Sequence, residues 1–303
     1  MSKDKISIII PCFNEEESIP IIYKEIKKVI KKINTNLEII FIDDGSTDNT
    51  LNTIKKLSKK DRVVRYISFS KNFGKESAMY AGLNYSTGNY VTIMDCDMQD
   101  DPNKLIDMYN IITTEDYDCV GLYSKYHKDY NIFRKIGTKI WYKLFRIESL
   151  AGTRDYRLMN RKVVDAFLSL KESNRYTKGI FNYIGFKTKW LEYKTPNRVA
   201  GKSKYNLKKL TSYSIEAITS FSIKPLIIPI YLGLLLLLIS IILFILLIFN
   251  YSKINLLIGL IVLFTSIELL FIGIIGLYVG KIYMESKNRP LYIINETEKD
   301  NIQ

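Results

Sequence analysis

The stretch "YVTIMDCDMQDDP", residues 90–102, decides the fold. A short apolar, β-branched run stops abruptly at Asp95. Asp95, Asp97, Asp100 and Asp101 then fall close together, with Cys96 and Gln99 among them and Pro102 behind. Continuous apolar character over so few residues reads as a strand covered on both faces. Upstream, "ISIII" (6–10), "LEIIFI" (37–42) and "VVRYISF" (63–69) read the same way. Between them the period changes. Ile19, Ile22, Ile26, Val29, Ile30 and Ile33 recur at helical spacing, and residues 49–60 and 75–86 are helical in character. The alternation predicts an α/β fold, a mostly parallel sheet with helices on both faces. Such sheets bind ligands beyond the carboxyl ends of their strands. That places Asn14-Glu15, Asp43-Asp44 and the Asp95/Asp97 pair along one edge.

Acids at a strand end in a chain of formal net charge +13 need a reason. Hard cations such as Mg²⁺ or Mn²⁺ are held by one or two carboxylates together with substrate phosphates. Asp95-x-Asp97 suits that role if the substrate is a nucleotide diphosphate, with basic residues elsewhere countering the remaining charge. The plainer reading is a solvated turn leading into a helix at Pro102. Asp43-Asp44-Gly45-Ser46 offers carboxylates to base N–H groups or ribose hydroxyls, and Gly45 permits a tight turn. The plainer reading there is an N-cap for helix 48–60 by Ser46 or Asp48. Neither G-x-G-x-x-G nor a P-loop is present, which argues against a dinucleotide oxidoreductase and a P-loop NTPase.

Hydrophobic residues make up 47% of the 303, unevenly spread. Residues 226–249 carry no charge, and 256–279 carry only Glu268. Each run reaches the roughly 20 apolar residues that a bilayer-spanning helix needs. "NYSKIN" joins them, so the pair reads as a transmembrane hairpin, about 226–249 and 254–279. Lysines cluster before the first run and after the second, which predicts both termini in the cytoplasm. Residues 206–224, with Leu207, Leu210, Ile218 and Phe221 beside Lys208 and Lys209, read as an amphipathic helix on the inner leaflet. The expected organisation is a catalytic domain over 1–205, the interface helix, the hairpin within 225–280 and a cytoplasmic tail over 281–303. "MSKDKISIII" is not a signal peptide. Cys12, Cys96 and Cys119 show no metal spacing, and His127 stands alone. The basic charge faces anionic lipid; no nucleic-acid partner is expected.

"PCFNEEES", "FIDDGSTDNT", "NFGKESAMYAGL", "MDCDMQDDP", "RDYRLMNRKVVDA", "NRYTKGIF" and "RVAGKSKYNLKKL" occur in this order over nearly the whole chain. Together they resemble family 2 glycosyltransferases that load a sugar onto a polyprenyl phosphate, such as bactoprenol glucosyltransferases and dolichol-phosphate mannose synthases. The resemblance implies a GT-A fold, a nucleotide-sugar donor, Mg²⁺ or Mn²⁺, inversion at the anomeric carbon, and a homo-oligomer at the inner membrane. Carried over by motif, Pro11, Phe13, Glu15, Asp43, Asp44, Asp95 and Cys96 meet the nucleotide sugar. Asp95, Asp97 and Gln99 form the metal and diphosphate group. Arg198 and Lys204 meet donor phosphates. Arg175 and Lys178 meet phosphates of donor or acceptor and count, with the acceptor-side Asp155, as catalytic. The expected partners are a UDP-sugar, GDP-mannose ranking lower, and undecaprenyl phosphate.

The sequence also departs from the family. Tyr123 or Lys125 stands where an Arg is common after the fifth strand, and "GLY" replaces Gly-Glu-Tyr near the second span's end, with Glu268 mid-span instead. Trp141 and Trp190 lie outside any Gln-x-x-Arg-Trp motif, against a processive polysaccharide synthase. A family 2 enzyme acting on another membrane acceptor and a non-enzymatic nucleotide-sugar-binding scaffold are the remaining alternatives.

Overall fold

A computed structural model describes residues 3–123, 153–172, 175–193 and 253–301. In chain order the elements are β1 (Lys5–Cys12), α1 (Ser18–Ile33), β2 (Asn36–Asp43), α2 (Thr50–Lys60), β3 (Val64–Phe69), α3 (Lys75–Tyr85), β4 (Tyr90–Ile93) and α4 (Lys104–Thr114). There follow β5 (Cys119–Tyr123), β6 (Thr153–Asn160), α5 (Arg161–Ser169), α6 (Thr177–Ile184), β7 (Thr188–Glu192), α7 (Lys253–Ser286) and β8 (Ile294–Thr297). The eight strands form one sheet in the order β7-β5-β6-β4-β1-β2-β3-β8. β4, β1, β2 and β3 are parallel neighbours, while β6 and β8 run antiparallel to theirs. The expected mixed, mostly parallel sheet is present.

The isoleucines of β1 lie on both sides of the strand, and Ile6, Ile8, Ile9 and Ile10 are all fully buried. Both faces must therefore be covered, and the helices do this. α1 buries Ile19, Ile22, Ile26, Val29 and Ile30. It stops where Asn34 turns left-handed (φ 58°) and donates its N–H to the Ile30 carbonyl. α3 approaches β1 so closely that a Cβ on Gly82 would meet Ile9 Cγ2 at 2.2 Å.

Polar interactions at the amino ends of the strands lock the sheet. Glu38 on β2 is buried and accepts from Ser7 Oγ (2.5 Å), Thr87 N (3.0 Å), Thr87 Oγ1 (3.0 Å), Lys5 Nζ (3.2 Å) and Arg65 Nη1 (2.6 Å). Arg65 also donates to Glu298, beyond β8, at 2.9 Å, and Glu298 accepts from Tyr66 N and the Tyr85 hydroxyl.

The segment after the second apolar run holds a strand that the sequence reading did not assign. Within residues 281–303, expected as a cytoplasmic tail, Ile294–Thr297 forms the edge strand beside β3. "INET" is too short and polar to announce a strand; it pairs because the outer edge of β3 offers unpaired backbone groups. The chain accordingly divides into one unit of Met1–Asn206 with Pro290–Gln303 and a second unit of Leu207–Arg289. In the second unit α7 is a continuous helix of 34 residues over the second apolar run. It exposes Leu257, Ile272, Ile282 and also Glu268. Counted on described residues alone, no helix is both long and apolar enough to cross a membrane. The first apolar run and the interface helix at 206–224 lie outside the described residues.

Burial raises the Glu38 carboxyl, but Ser7, Thr87, Arg65 and Lys5 outweigh it and hold the group at about 2, against an ordinary 4.5. The sign follows from the depressed value. Its contribution to stability is complete above about pH 4.5 and is lost as pH falls toward about 2. Glu38→Gln leaves two cations without their buried partner and should cost about 3 kcal/mol at neutral pH. Thermal midpoints of the two proteins should converge on acidification below pH 4.5; a constant gap down to pH 3 contradicts this.

Candidate active site at the carboxyl end of the sheet

β4, β1 and β2 are adjacent and parallel, with Ile9 opposite Ile93 and Cys12 opposite Asp43. Their following loops therefore share one edge, as the sequence predicts. The acidic loop after β4 sorts its four carboxylates into two kinds. Asp100 is buried, accepts from the Asp95 N–H (2.9 Å) and pairs with Arg154 Nε (3.0 Å). Burial and the neighbouring Asp95 push its carboxyl up to about 7, against the pull of Arg154. Asp101 accepts from Asn103 N (2.9 Å) at the start of α4. Tyr193 braces the turn from β7: its hydroxyl donates to the Gln99 carbonyl (2.7 Å) and accepts from Asp101 N (2.9 Å). Met98 sits left-handed at φ 61°, and Asp97 Oδ1 accepts from Gln99 N. Asp95, Asp97 and Gln99 remain half-buried at the edge. The acidic stretch is thus a braced loop presenting two carboxylates, and the solvated-turn reading does not describe Asp100.

The loop after β2 is clamped as tightly. Asp43 accepts from Ser46 N and Ser68 Oγ. Asp44 accepts from the N–H groups of Phe73 (2.6 Å) and Gly74 (2.9 Å), which hold the turn before α3. Burial lifts the Asp44 carboxyl to about 6, although those two N–H groups draw it down. Gly45 lies at φ +66°, and a Cβ there would stand 2.4 Å from the Lys71 backbone. The Ser46 hydroxyl accepts from Asn14 N and so joins this loop to the one after β1. Asp48 accepts from Thr50 N, while Asn49 occupies the cap position of α2 without a side-chain bond to the helix backbone. Pro11, Phe13 and Glu15 are half-buried beside these loops, and Glu15 accepts from Ser18 Oγ.

On the other flank, Asp155 of β6 reaches the same edge through a lysine. Lys75, the first residue of α3, lies 2.5 Å from Asp95 Oδ1 and 3.1 Å from Asp155 Oδ2. Burial would raise the Asp155 carboxyl, but Lys75, Lys178 and Arg157 hold it well below the usual carboxylate range. An acid held that low stays ionised and is a poor proton acceptor. Lys178 donates to the Thr153 carbonyl at 2.7 Å. Its ammonium is lowered chiefly by burial, with Asp155 pulling the other way.

Two candidates are placed differently from expectation. Arg175 is buried and donates to the carbonyls of Leu170 and Phe167, with the rings of Tyr80 and Phe167 at 4.3 and 4.6 Å. It positions the α5–α6 connection and makes these contacts within the protein, so its guanidinium is not presented to phosphate. The Cys96 side chain is a free thiol buried in the core with Cys12, between the two outward aspartates. β4 has ended at Ile93, and Cys96-Asp97 form the turn that follows; there Cys96 packs inward while Asp95 and Asp97 stay at the edge. Tyr123 ends β5 half-buried; Lys125, Arg198 and Lys204 lie outside the described residues. Lys75 and Tyr193 carried no role in the sequence reading. Lys75 sits inside the quoted "NFGKES", but nothing local shows which acids it meets.

Among the described residues no three His, Cys, Asp or Glu side chains converge as a metal cage. Mg²⁺ seldom uses one; it binds through one or two carboxylates and completes its shell with water and phosphate oxygens. The half-buried pair Asp95 and Asp97 at the edge, with a lysine ammonium already on one of them, fits that mode.

The sequence model of glycosyl transferase family 2 matches residues 7–168. The chain is 38% identical over 317 residues to a bactoprenol glucosyl transferase of Shigella phage SfV, covering 97% of this chain and all of that protein. It is 37% identical over 302 residues to an uncharacterized glycosyltransferase, YkcC, of Bacillus subtilis, covering 96% and 93%. Among solved structures, glucosyl-3-phosphoglycerate synthase from Mycobacterium tuberculosis, in complex with Mn²⁺, UDP and phosphoglyceric acid, superposes with a TM-score of 0.51. That likeness covers 71% of this chain and 76% of the other at 17% identity, and shows the fold.

Tyr193→Phe removes both bonds that tie the acidic turn to β7 and should cost about 1–3 kcal/mol of stability. Hydrogen exchange should accelerate at the Asp101 amide, while the Asp95 amide, held by Asp100, keeps its protection. Equal exchange at Asp101 in both proteins contradicts the bracing role.

Proposed function

The chain belongs to glycosyl transferase family 2, and from that premise we propose that it transfers a sugar from a nucleotide diphosphate to a polyprenyl phosphate at the cytoplasmic face of the membrane. The observation that carries this reading is the pair of outward carboxylates at the shared strand edge, flanked by the Asp43-Asp44 loop on one side and Asp155 on the other. The full-length relatedness to a bactoprenol glucosyl transferase selects the acceptor class. The donor is UDP-glucose or another UDP-hexose or UDP-N-acetylhexosamine, with GDP-mannose ranking below.

Asp44, Asp43, Pro11, Phe13 and Glu15 line the nucleotide side; Arg198 and Lys204 are proposed for the donor phosphates. Asp95 and Asp97, with Gln99 beside them, would hold Mg²⁺ or Mn²⁺, which supplies Lewis acidity toward the departing diphosphate. The chain's own cations counter the repulsion between two anionic substrates: Lys75 contacts Asp155, and Lys178 and Arg157 act on it as well. The acceptor needs little help as a nucleophile. A phosphate monoester has a second pKa near about 6, so its oxygen is largely ionised at neutral pH. Asp155, a poor base, then orients Lys75 and Lys178 rather than removing a proton. Attack by the acceptor oxygen on the anomeric carbon, with departure of the diphosphate from the opposite face, inverts the configuration.

For the membrane, we retain the hairpin within 225–280, with both termini cytoplasmic in the inner membrane and an interface helix at 206–224. Two features support it. The apolar runs each reach spanning length. Moreover β8 pairs with β3 in one sheet. The chain before residue 207 and after 289 must then lie on one side of any bilayer, which requires an even number of crossings.

Purified protein with Mn²⁺, undecaprenyl phosphate and a panel of UDP- and GDP-sugars should yield an organic-soluble sugar phospholipid, identified by mass, and chelator should abolish it. Product confined to the aqueous phase, or none, contradicts the acceptor assignment. Asp97→Ala should lower turnover by at least about a hundredfold, the scale of losing a main electrostatic group. Asp155→Asn should retain measurable turnover; equal, complete loss in both would reject the orienting role.

A further inference from the structure

The Lys75 ammonium contacts Asp95, one of the two carboxylates proposed above for the metal, at 2.5 Å, and Asp155 at 3.1 Å. It comes from α3, whereas its partners follow β4 and lie on β6, so the contact is a product of the fold and not of neighbouring sequence. The other cations of this flank have hydrogen-bond partners besides these two carboxylates: Arg154 pairs with Asp100, Lys178 donates to the Thr153 carbonyl, and Arg157 donates to the Arg154 carbonyl. The backbone that delivers Lys75 is fixed by Asp44, which accepts from the N–H groups of Phe73 and Gly74 immediately before it. Three successive residues, Phe73, Gly74 and Lys75, therefore link the carboxylate of the nucleotide side to the carboxylate of the metal side.

We infer that Lys75 is a positioning residue that keeps Asp95 occupied until a nucleoside diphosphate arrives, so that a divalent cation binds well only together with that ligand. This rests on the metal reading of Asp95 and Asp97. The physical basis is competition for one carboxylate oxygen. An ammonium and a divalent cation cannot both hold Asp95 Oδ1 at contact distance without strong repulsion. A diphosphate changes the balance, because its oxygens complete the shell of the ion and offer the displaced ammonium a new anionic partner. Asp155 retains Lys75 nearby during the exchange. The arrangement couples two ligands through one side chain, and such coupling is reciprocal.

The test measures Mn²⁺ binding by electron paramagnetic resonance on the full chain, first without nucleotide and then with UDP. Without nucleotide, Lys75→Met should bind Mn²⁺ about tenfold more tightly than wild type, within the usual range of coupling between sites. Lys75→Gln should behave as Lys75→Met does, and Lys75→Arg, which keeps the charge, should remain close to wild type. Saturating UDP should bring all four proteins together. A lysine that merely stabilises the fold would not tighten metal binding when removed. Equal or weaker Mn²⁺ affinity in both neutral variants overturns the proposal, as does tightening in Lys75→Arg equal to theirs. If wild type and variants all fail to bind Mn²⁺ even with UDP, the metal reading of Asp95 and Asp97 falls, and this proposal with it.

Discussion

Carboxylates gathered in one short loop repel one another, and the rest of this site depends on how that repulsion is met. The fold gives each of the four a different partner. Asp100 is buried against Arg154 and a backbone N–H, Asp101 receives the start of α4, and Asp95 meets Lys75. Asp97 curls back onto the N–H of Gln99. Tyr193 then pins the turn from a strand at the far side of the sheet. The loop is left with charge on its outer side and hydrogen bonds on its inner side. That asymmetry is what a site for a cation and its anionic partner requires, because the donors must be fixed before the ligand comes.

The two ends of the sheet divide the work. At the amino ends, Glu38 collects Lys5, Ser7, Thr87 and Arg65, and Arg65 extends the set to Glu298 beyond β8. This network is closed on itself and serves cohesion. At the carboxyl ends the polar groups tie loops to loops: Asp44 to the turn before α3, Ser46 to Asn14, Lys75 to Asp95 and Asp155. A change at one loop therefore reaches the others without passing through the core.

Much of this was legible in the chain. Isoleucine runs such as that of β1 reported strands buried on both faces, the helical period of α1 reported its covering face, and the parallel character of the sheet followed from the alternation of strands with helices. The acids at the strand ends followed from the same argument. What stayed hidden was long-range pairing. No local pattern tells that Lys75 will meet Asp95 and Asp155, that Tyr193 will reach Gln99, or that Arg175 will turn toward the carbonyls of Leu170 and Phe167. Cys96 was read with its neighbours because it stands between them, but in the turn after β4 its side chain packs into the core. β8 was missed because "INET" has almost no apolar content of its own and exists as a strand only through the edge it covers.

The central claim is that Asp95 and Asp97 hold a divalent cation against a nucleotide diphosphate at the carboxyl edge of β4. The most direct measurement is an experimental structure of the full chain with Mn²⁺ and UDP, with the ion located by its anomalous scattering. The account predicts one Mn²⁺ bound by carboxylate oxygen of this pair and by phosphate oxygens of UDP, with the uridine toward Asp44. Manganese lying away from both aspartates, or UDP seated at that edge with no ion between it and them, would contradict it.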